Sequence, residues 1–208
     1  MKLKKKVKRF LLIILLIAIA LVVGFIVYKN LNKTEEVPEV KIVSEVNDFG
    51  YQLKDTKSAK YKEMFAELKK ILSEEEVDEE KYANKLAEMF IYDFYSLSDK
   101  TAKTDVGGVD FVHPAILENF LQNAQNTYYK YIENNIYNNR KQSLPTVSDI
   151  TIETTEQQEF AYGNETDPKA YVITASWNYT DNQFSDYQTK ATLVFVHDDI
   201  KLYLVELQ

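Results

Sequence analysis

The chain has few residues of the types that catalyse reactions or bind metals. It contains two histidines, His113 and His197, and no cysteine. A cysteine nucleophile, a disulfide framework and a thiolate metal site are therefore excluded. A zinc site needs three or four ligands, but His197 is followed only by two aspartates, which is typical of a solvated turn that binds a cation weakly at most. The sequence predicts no metal site.

Two adjacent glycines, Gly107 and Gly108, lie between Asp105 and Asp110 and superficially suggest a calcium loop. Such a loop needs oxygen ligands at alternating positions and a closing glutamate, whereas valines occupy intervening positions here. Neither a phosphate-binding glycine pattern nor a serine nucleophile motif occurs. We therefore expect a backbone turn at the glycines, no cofactor and no catalytic residue.

Aromatic residues are the unusual feature of the composition, with 15 tyrosines, 11 phenylalanines and one tryptophan. Four of them cluster among asparagines in or near one predicted helix and could form a protein-contact surface: Tyr128, Tyr129, Tyr131 and Tyr137. The alternative is that Tyr128 and Tyr131 cover a sheet while Tyr129 lies at its rim. Trp177 and Tyr171 share one face of a predicted strand, which indicates core positions or the lining of a pocket.

An apolar segment at residues 10–28, FLLIILLIAIALVVGFIVY, has no charged residue in 19 positions. A helix of this length reaches about 28 Å, close to the hydrocarbon thickness of a bilayer. Because six lysines and arginines precede it, the positive-inside bias predicts a cytoplasmic tail at 1–9 and a single transmembrane helix at 10–28. The alternative is a cleaved signal peptide, but the apolar run exceeds the usual length of about 7–15 residues.

The charges of the chain are divided unevenly. Of the 25 basic and 32 acidic residues, the segment 1–29 holds seven basic and no acidic ones, so the rest of the chain has a net charge of −14. This argues against nucleic acid as a ligand, because phosphates bind positive surfaces. Polar residues at 29–39 predict a short stalk, after which a single extracytoplasmic domain follows at 40–208.

The domain at 40–208 changes from helical to strand-like periodicity along its length. Two short strands are predicted at 40–46 and 48–53, as either an edge hairpin or a strand-like lead-in. Helices are predicted at about 61–72, 79–97 and 115–137, the second of them capped by Ser73 or Asp78. Alternating residues predict four strands, at 148–160, 170–180, 187–197 and 200–208, with turns at 162–168, 180–186 and 198–199. The expected fold class is α+β, with about three helices packed on a curved four-stranded antiparallel sheet.

The order of these elements resembles the VirB8-type components of conjugative and type IV secretion systems. A short basic tail, one membrane helix, a brief stalk, amphipathic helices and a final meander are shared, so the resemblance lies in architecture across most of the chain. It implies an NTF2-like (cystatin-like) cone, in which the helix at 115–137 lies against the curved sheet of residues 148–208. It also implies a non-catalytic scaffold that bridges membrane and channel subunits, usually as a homo-oligomer.

These expectations favour a membrane-anchored, non-catalytic scaffold or assembly protein of the cell envelope, with envelope proteins and copies of itself as candidate partners. The alternative is an anchored small-ligand-binding or sensory domain, in which Trp177 and Tyr171 line a cavity between helix and sheet. A third, less favoured hypothesis is a pocket hydrolase or isomerase. It requires a buried carboxylate or histidine with a shifted pKa that faces this cavity.

Overall fold

The computed structural model describes residues 14, 17–25, 28 and 40–208. The chain divides into two compact units, Met1–Glu39 and Val40–Gln208. In the first unit, residues 17–25 are helical. The predicted transmembrane segment at 10–28 lies only partly within the described residues, and the predicted tail and stalk lie outside them. Among the residues described, no helix has both the length and the apolar character needed to cross a membrane.

The second unit begins with a β-hairpin and a helix. Strands β1 (Ile42–Val46) and β2 (Tyr51–Lys54) pair antiparallel as a separate two-stranded sheet. Helix α1 (Ala59–Leu72) begins after Ser58, whose hydroxyl accepts a hydrogen bond from the Tyr61 N–H. The apolar stripe that predicted this helix is buried and consists of Tyr61, Met64, Phe65, Leu68 and Leu72.

Helix α2 (Glu79–Tyr95) is the most buried helix of the domain. Asp78 caps it by accepting a hydrogen bond from the Lys81 N–H at 3.1 Å, so Asp78 rather than Ser73 is the N-cap. Every residue from Met89 to Tyr95 is buried. A helix that is buried all round must be enclosed by other elements, and α2 packs against both α1 and the larger sheet.

Helix α3 (Pro114–Asn126) is shorter than the helix predicted at 115–137, and that prediction is wrong in its extent. Thr127 leaves the helical conformation, and the chain turns inward. The Tyr129 hydroxyl then donates to the Phe94 carbonyl at 2.6 Å and accepts from the Gly107 N–H at 3.0 Å. Both partners are distant in sequence, so helical periodicity could not indicate this end.

The irregular segment at 127–146 is held by Arg140. Its guanidinium donates to the carbonyls of Ser98 and Lys100, each at 2.7 Å, and to that of Glu133 at 3.3 Å. Because a guanidinium presents several donors in a fixed fork, one side chain joins this segment to the loop that follows α2.

The larger sheet is an antiparallel meander in which the strands follow their order along the chain. Its strands are β3 (Val147–Tyr162), β4 (Glu165–Tyr179), β5 (Lys190–Asp198) and β6 (Lys201–Leu207). Register shifts interrupt the β3–β4 ladder at three points, and such bulges bend a strand. The turn predicted at 162–168 is shorter than expected, because Gly163 takes a positive φ of 56° and reverses the chain within two residues.

The structure confirms the α+β class, with helices on a four-stranded antiparallel sheet. The inward face of the sheet, including Ile173, Leu193 and Phe195, shares one apolar core with α1 and α2. Neighbouring side chains of a strand point to opposite faces, so Val194 and Val196 belong to a smaller apolar cluster on the other face.

Candidate functional site

Helix α3 is the least buried helix of the domain, and its apolar residues border an open cavity. Ala124 is its only buried residue, while Ile116 and Phe120 are half-buried. A cavity of about 410 Å³ lies between α3 and the end of β6. Its walls include Ile116 and Phe120 on one side and residues 205–208 on the other. We call this space the α3–β6 cavity.

A second cavity, of about 560 Å³, adjoins the α3–β6 cavity. Both are lined by Thr127, Tyr128 and Gln188, and we call the second space the loop cavity because residues of the irregular segment line it. Its apolar lining consists of Leu97, Tyr128, Tyr131, Ile132, Leu144 and Tyr187. The charged residues that line the two cavities are both acidic, Glu206 in the first and Asp186 in the second.

Two buried polar atoms lie beside these cavities. The Trp177 Nε1 and the Tyr128 hydroxyl make no hydrogen bond of normal geometry with a described residue, and the Tyr179 hydroxyl is close enough to act as a weak acceptor for both. Tyr128 lines both cavities, whereas Trp177 lines neither. Their rings flank Tyr95, whose centroid is 4.3 Å from that of Trp177 and 5.0 Å from that of Tyr128. The neighbouring Tyr179 hydroxyl donates to the Gln188 carbonyl at 2.7 Å. Because an unpaired buried donor costs free energy, an acceptor that reached this point would be stabilised.

The four tyrosines of the predicted contact surface fall at different depths. Tyr129 has no exposed surface, and its hydrogen bonds to Phe94 and Gly107 hold it in the core, so it cannot contribute to a contact surface. The alternative arrangement, with Tyr129 at the rim and Tyr131 over the sheet, is also wrong, because Tyr131 is 75% exposed. Tyr137 is exposed as well, and Tyr128 is half-buried where the two cavities meet.

Trp177 and Tyr171 do not line a common pocket. Both are buried on the inward face of β4, as the alternation predicted. Six strand positions separate them, however, which corresponds to about 20 Å. The Tyr171 hydroxyl lies 3.5 Å from a Glu79 oxygen, and its ring centroid is 6.0 Å from that of His197. Tyr171 lines neither of the two cavities.

His197 belongs to a side-chain cluster that the sequence did not predict. Asp167 accepts from the His197 backbone N–H at 2.7 Å and lies 2.8 Å from its Nδ1, while Glu79 lies 3.7 Å from its Nε2. Burial raises the pKa of Asp167, but hydrogen bonds from His197 and Lys169 outweigh this and lower it. Asp167 was missed because it lies 30 positions away in a segment assigned to a turn. Within the described ranges, no cluster of three or more potential metal ligands is found.

Asp93 is the centre of a buried charge cluster that the sequence also did not predict. Its carboxylate lies 2.7 Å from Lys57 Nζ and 2.9 Å from Lys100 Nζ, and it accepts from the Gly108 N–H at 2.8 Å. Burial would raise its pKa, but the charges of Lys100 and Lys57 outweigh burial and hold the pKa at about 2. In the sequence, this cluster was indicated by the position of Asp93, a single acidic residue within the aromatic run MFIYDFY. Asp93 lines neither cavity.

The cavities beside α3 therefore form the candidate site. They offer apolar walls, acidic side chains and the hydroxyl of Tyr128, which suits binding. The chain matches no protein-family model, and no curated protein or solved structure is significantly similar to it. The geometry of the cavities and the pattern of the sequence are thus the basis for a functional conclusion.

Proposed function

We propose that this protein is a non-catalytic assembly module of the cell envelope that binds other proteins along α3. The observation that carries the proposal is the pair of adjoining, largely apolar cavities beside this helix, which share Tyr128 and Gln188. The half-buried Ile116 and Phe120 and the exposed Tyr131 extend the apolar surface. Apolar patches rimmed by polar groups and rich in tyrosine are typical of protein-contact sites.

In this proposal, the segment at 10–28 anchors the domain in a membrane and the domain lies on the extracytoplasmic side. The uncharged apolar run and the basic residues before it support this placement. The resemblance to VirB8-type components supports a scaffold that bridges membrane and channel subunits, with copies of itself among its partners. The helix and sheet of the NTF2-like cone would then be α3 and the β3–β6 meander.

The positions of the titratable groups favour binding over catalysis. Asp93 stays ionised between Lys57 and Lys100, and His197 is oriented by Asp167. Neither Asp93 nor His197 lines the α3–β6 cavity or the loop cavity, so neither is placed to act on a ligand there. The chemistry of the cavity walls is that of contact surfaces, with tyrosine, leucine, isoleucine and amide side chains.

Site-specific photo-crosslinking in living cells tests this proposal. A photoreactive amino acid replaces Asn119 in the α3–β6 cavity or Tyr131 in the loop cavity. The matched controls replace Glu156 on β3 or Asn164 in the β3–β4 turn. Both are exposed, as the two cavity positions are. We expect the same envelope protein to be captured from both cavity positions and from neither control. Capture from all four positions, or from none, would contradict the proposal.

A second candidate function is the binding of a small apolar ligand, and the hydroxyl of Tyr128, which lines the loop cavity without a hydrogen bond of normal geometry, favours it. An apolar molecule that carries a carbonyl acceptor could fill the loop cavity and accept from the hydroxyl of Tyr128, which lines it. Trp177 is the only tryptophan, so its fluorescence reports on this point of the structure alone. The full-length chain in lipid nanodiscs can therefore be titrated with straight-chain alkyl amides.

Saturable change in Trp177 fluorescence would support the ligand-binding function, and Tyr128→Phe would weaken the affinity by about fivefold, since one hydrogen bond is lost. The control is Tyr137→Phe, because Tyr137 is exposed and lines neither cavity. Fluorescence that does not change, or changes without saturating, would exclude this second function.

A further inference from the structure

The outer edge of β6 is open at one end, and this follows from its hydrogen-bonding register. Thr192 and Gln208 exchange both backbone hydrogen bonds, at 2.9 and 3.0 Å. In an antiparallel ladder, hydrogen-bonded and non-hydrogen-bonded pairs alternate, so the next pair, Leu193 and Leu207, is a non-hydrogen-bonded one. The N–H and C=O of Leu207 therefore point away from β5.

The earlier part of the same edge is closed by other elements of the domain. The Leu202 N–H donates to the Tyr82 hydroxyl, and its carbonyl accepts from the Tyr51 hydroxyl, each at 3.2 Å. The Leu204 carbonyl accepts from the His113 N–H at 2.9 Å. No comparable contact from another described element reaches the backbone of Leu207. The edge is thus open over residues 205–208, which also form one wall of the α3–β6 cavity.

We propose that an extended segment of a partner protein adds to β6 as a fifth strand and pairs with the backbone of Leu207. This inference rests on the proposed function and specifies how the partner binds. An added strand places every second side chain on one face, so alternate apolar side chains of the segment would contact Ile116 and Phe120 of α3. The outward-facing backbone groups of this edge are those of Leu207, so the added strand forms one pair of backbone hydrogen bonds here and its side chains supply the other contacts.

Charge complementarity indicates that the segment is basic. Among the described residues, Glu206 and Asp186 are the charged ones that line the two cavities, and no lysine or arginine does. The whole of residues 30–208 carries a net charge of −14. A segment with apolar residues at alternate positions and lysine or arginine between or beside them would be attracted. At this edge, a second copy of the acidic domain would be repelled.

Selection of peptides by the full-length chain in lipid nanodiscs tests the proposal. The probe is a displayed library of random dodecapeptides, and we expect the selected sequences to share alternating apolar residues with lysine or arginine. A chosen peptide is then resynthesised with one backbone N-methyl group at a time. Methylation should weaken binding by about tenfold at the one position whose N–H faces Leu207 and by less than about twofold at the others, because Leu207 carries the outward-facing backbone groups of this edge.

Variants of β6 provide the reciprocal test. Leu207→Pro removes the N–H that faces the added strand and leaves the bonds to β5 in place, so peptide affinity should fall about tenfold. Leu207→Val keeps this N–H and should change affinity by less than about twofold, provided that both variants keep the wild-type melting temperature. Glu206→Lys should reverse the preference from basic to acidic peptides.

The outcomes separate the binding mode from the proposed function. If the library gives no binder, or if N-methylation has the same effect at every position, strand addition is overturned. If position-specific crosslinking to an envelope protein persists in that case, the assembly function stands without this binding mode. If a homodimer forms through β6 and Leu207→Pro abolishes it, the occupant is a second copy and the basic segment is excluded.

Discussion

Asp93 shows how a single buried carboxylate can organise a region of the domain. It lies within α2, where its neighbours in sequence are all buried, and it pairs with Lys57, Lys100 and the Gly108 N–H. Lys100 has only 4% of its side chain exposed and also pairs with Asp99 at 2.8 Å. Burying charges is costly unless they are paired, so each member of this cluster depends on the others.

Replacing Asp93 should therefore destabilise the protein strongly. Asp93→Asn leaves Lys57 and the buried Lys100 without its charge, and we expect the free energy of unfolding to fall by about 3 kcal/mol. Urea unfolding of the full-length chain, followed by Trp177 fluorescence, measures the change. The control is Asp105→Asn, an exposed side chain that accepts from Thr101, with an expected change below about 0.5 kcal/mol. Equal effects of the two substitutions would contradict this view of Asp93.

The low pKa of Asp93 also predicts a pH dependence of stability. Its pKa is about 2 in the folded protein and 3.8 in the reference state. Because folding lowers this pKa, the ionised carboxylate stabilises the protein above pH 3.8, and this contribution is lost as the pH falls towards 2. The stability difference between wild type and Asp93→Asn should shrink by about 2 kcal/mol between about pH 6 and about pH 2. A difference that does not vary with pH would refute the prediction.

Sequence patterns could not predict these residue-level features, because each depends on contacts between distant positions. Asp93 fits a helix that could equally have turned it to solvent, and its partners lie on other segments. In the sequence, His197 and the two aspartates that follow it are typical of a solvated turn. The contact with Asp167 depends on the pairing of β4 with β5, which brings Asp167 beside the imidazole. In contrast, the burial of Trp177 followed directly from strand alternation.

At the scale of elements, the paired glycines fix how the loop after α2 lies against that helix. A Cβ at Gly107 would lie 2.0 Å from the Asp93 carbonyl oxygen, and one at Gly108 would lie 2.6 Å from the Phe90 ring. Gly108 also has a φ of +73°, which favours glycine. The expected backbone turn is thus present, and it is required because α2 and the loop approach each other closely.

Gly107→Ala should consequently destabilise the protein by more than about 3 kcal/mol, since backbone rather than a flexible side chain must move. The matched control is Gly163→Ala in the β3–β4 turn, where φ is +56° and no atom lies within 4 Å of the added Cβ. Only backbone strain acts there, so the expected cost is about 1 kcal/mol. Thermal unfolding of both variants compares them, and a Gly107→Ala effect no larger than that of the control would argue against the close approach.

The elements that repeat apolar residues regularly were predicted well. Helices α1 and α2 and the four strands of the larger sheet followed from periodicity, and the antiparallel order of these strands followed from their short connections. The sequence predicted the two short strands as either an edge hairpin or a strand-like lead-in, and the structure shows the hairpin, with a 3₁₀ turn at Asn47–Phe49. The end of α3 was not predictable, because the tyrosine-rich sequence beyond it is compatible with a helix. The hydrogen bonds of Tyr129 and the three carbonyl contacts of Arg140 favour the irregular path instead. The candidate site was missed for the same reason, since the shorter helix leaves the cavities open.

At the scale of the whole molecule, the charges are distributed asymmetrically along the chain. The basic segment precedes the apolar run, and the net charge of −14 lies after it. In our proposal, the acidic domain is translocated across the membrane and the basic tail remains on the cytoplasmic side.

Protease accessibility should reveal this orientation. Added protease should cleave the domain at 40–208 in cells stripped of their outer layers, with the irregular segment at 127–146 among the cleavage sites. The control replaces the six basic residues at 2–9 with serine and adds lysines after residue 28, which should invert the chain and protect the domain. Complete protection of the wild-type domain in intact cells, with cleavage only after lysis, would show that the orientation is wrong.

The hydrogen bonds that close the edge of β6 have a consequence for biosynthesis. Leu202 is 151 positions from Tyr51 and 120 positions from Tyr82, yet it bonds to both hydroxyls. Ribosomes add about 5–20 residues per second, so β6 is synthesised on the order of ten seconds after the β1–β2 hairpin and α2, to which it bonds. Throughout that interval, apolar surface is uncovered on a nascent chain, so we expect the growing polypeptide to depend on chaperones until β6 has been made.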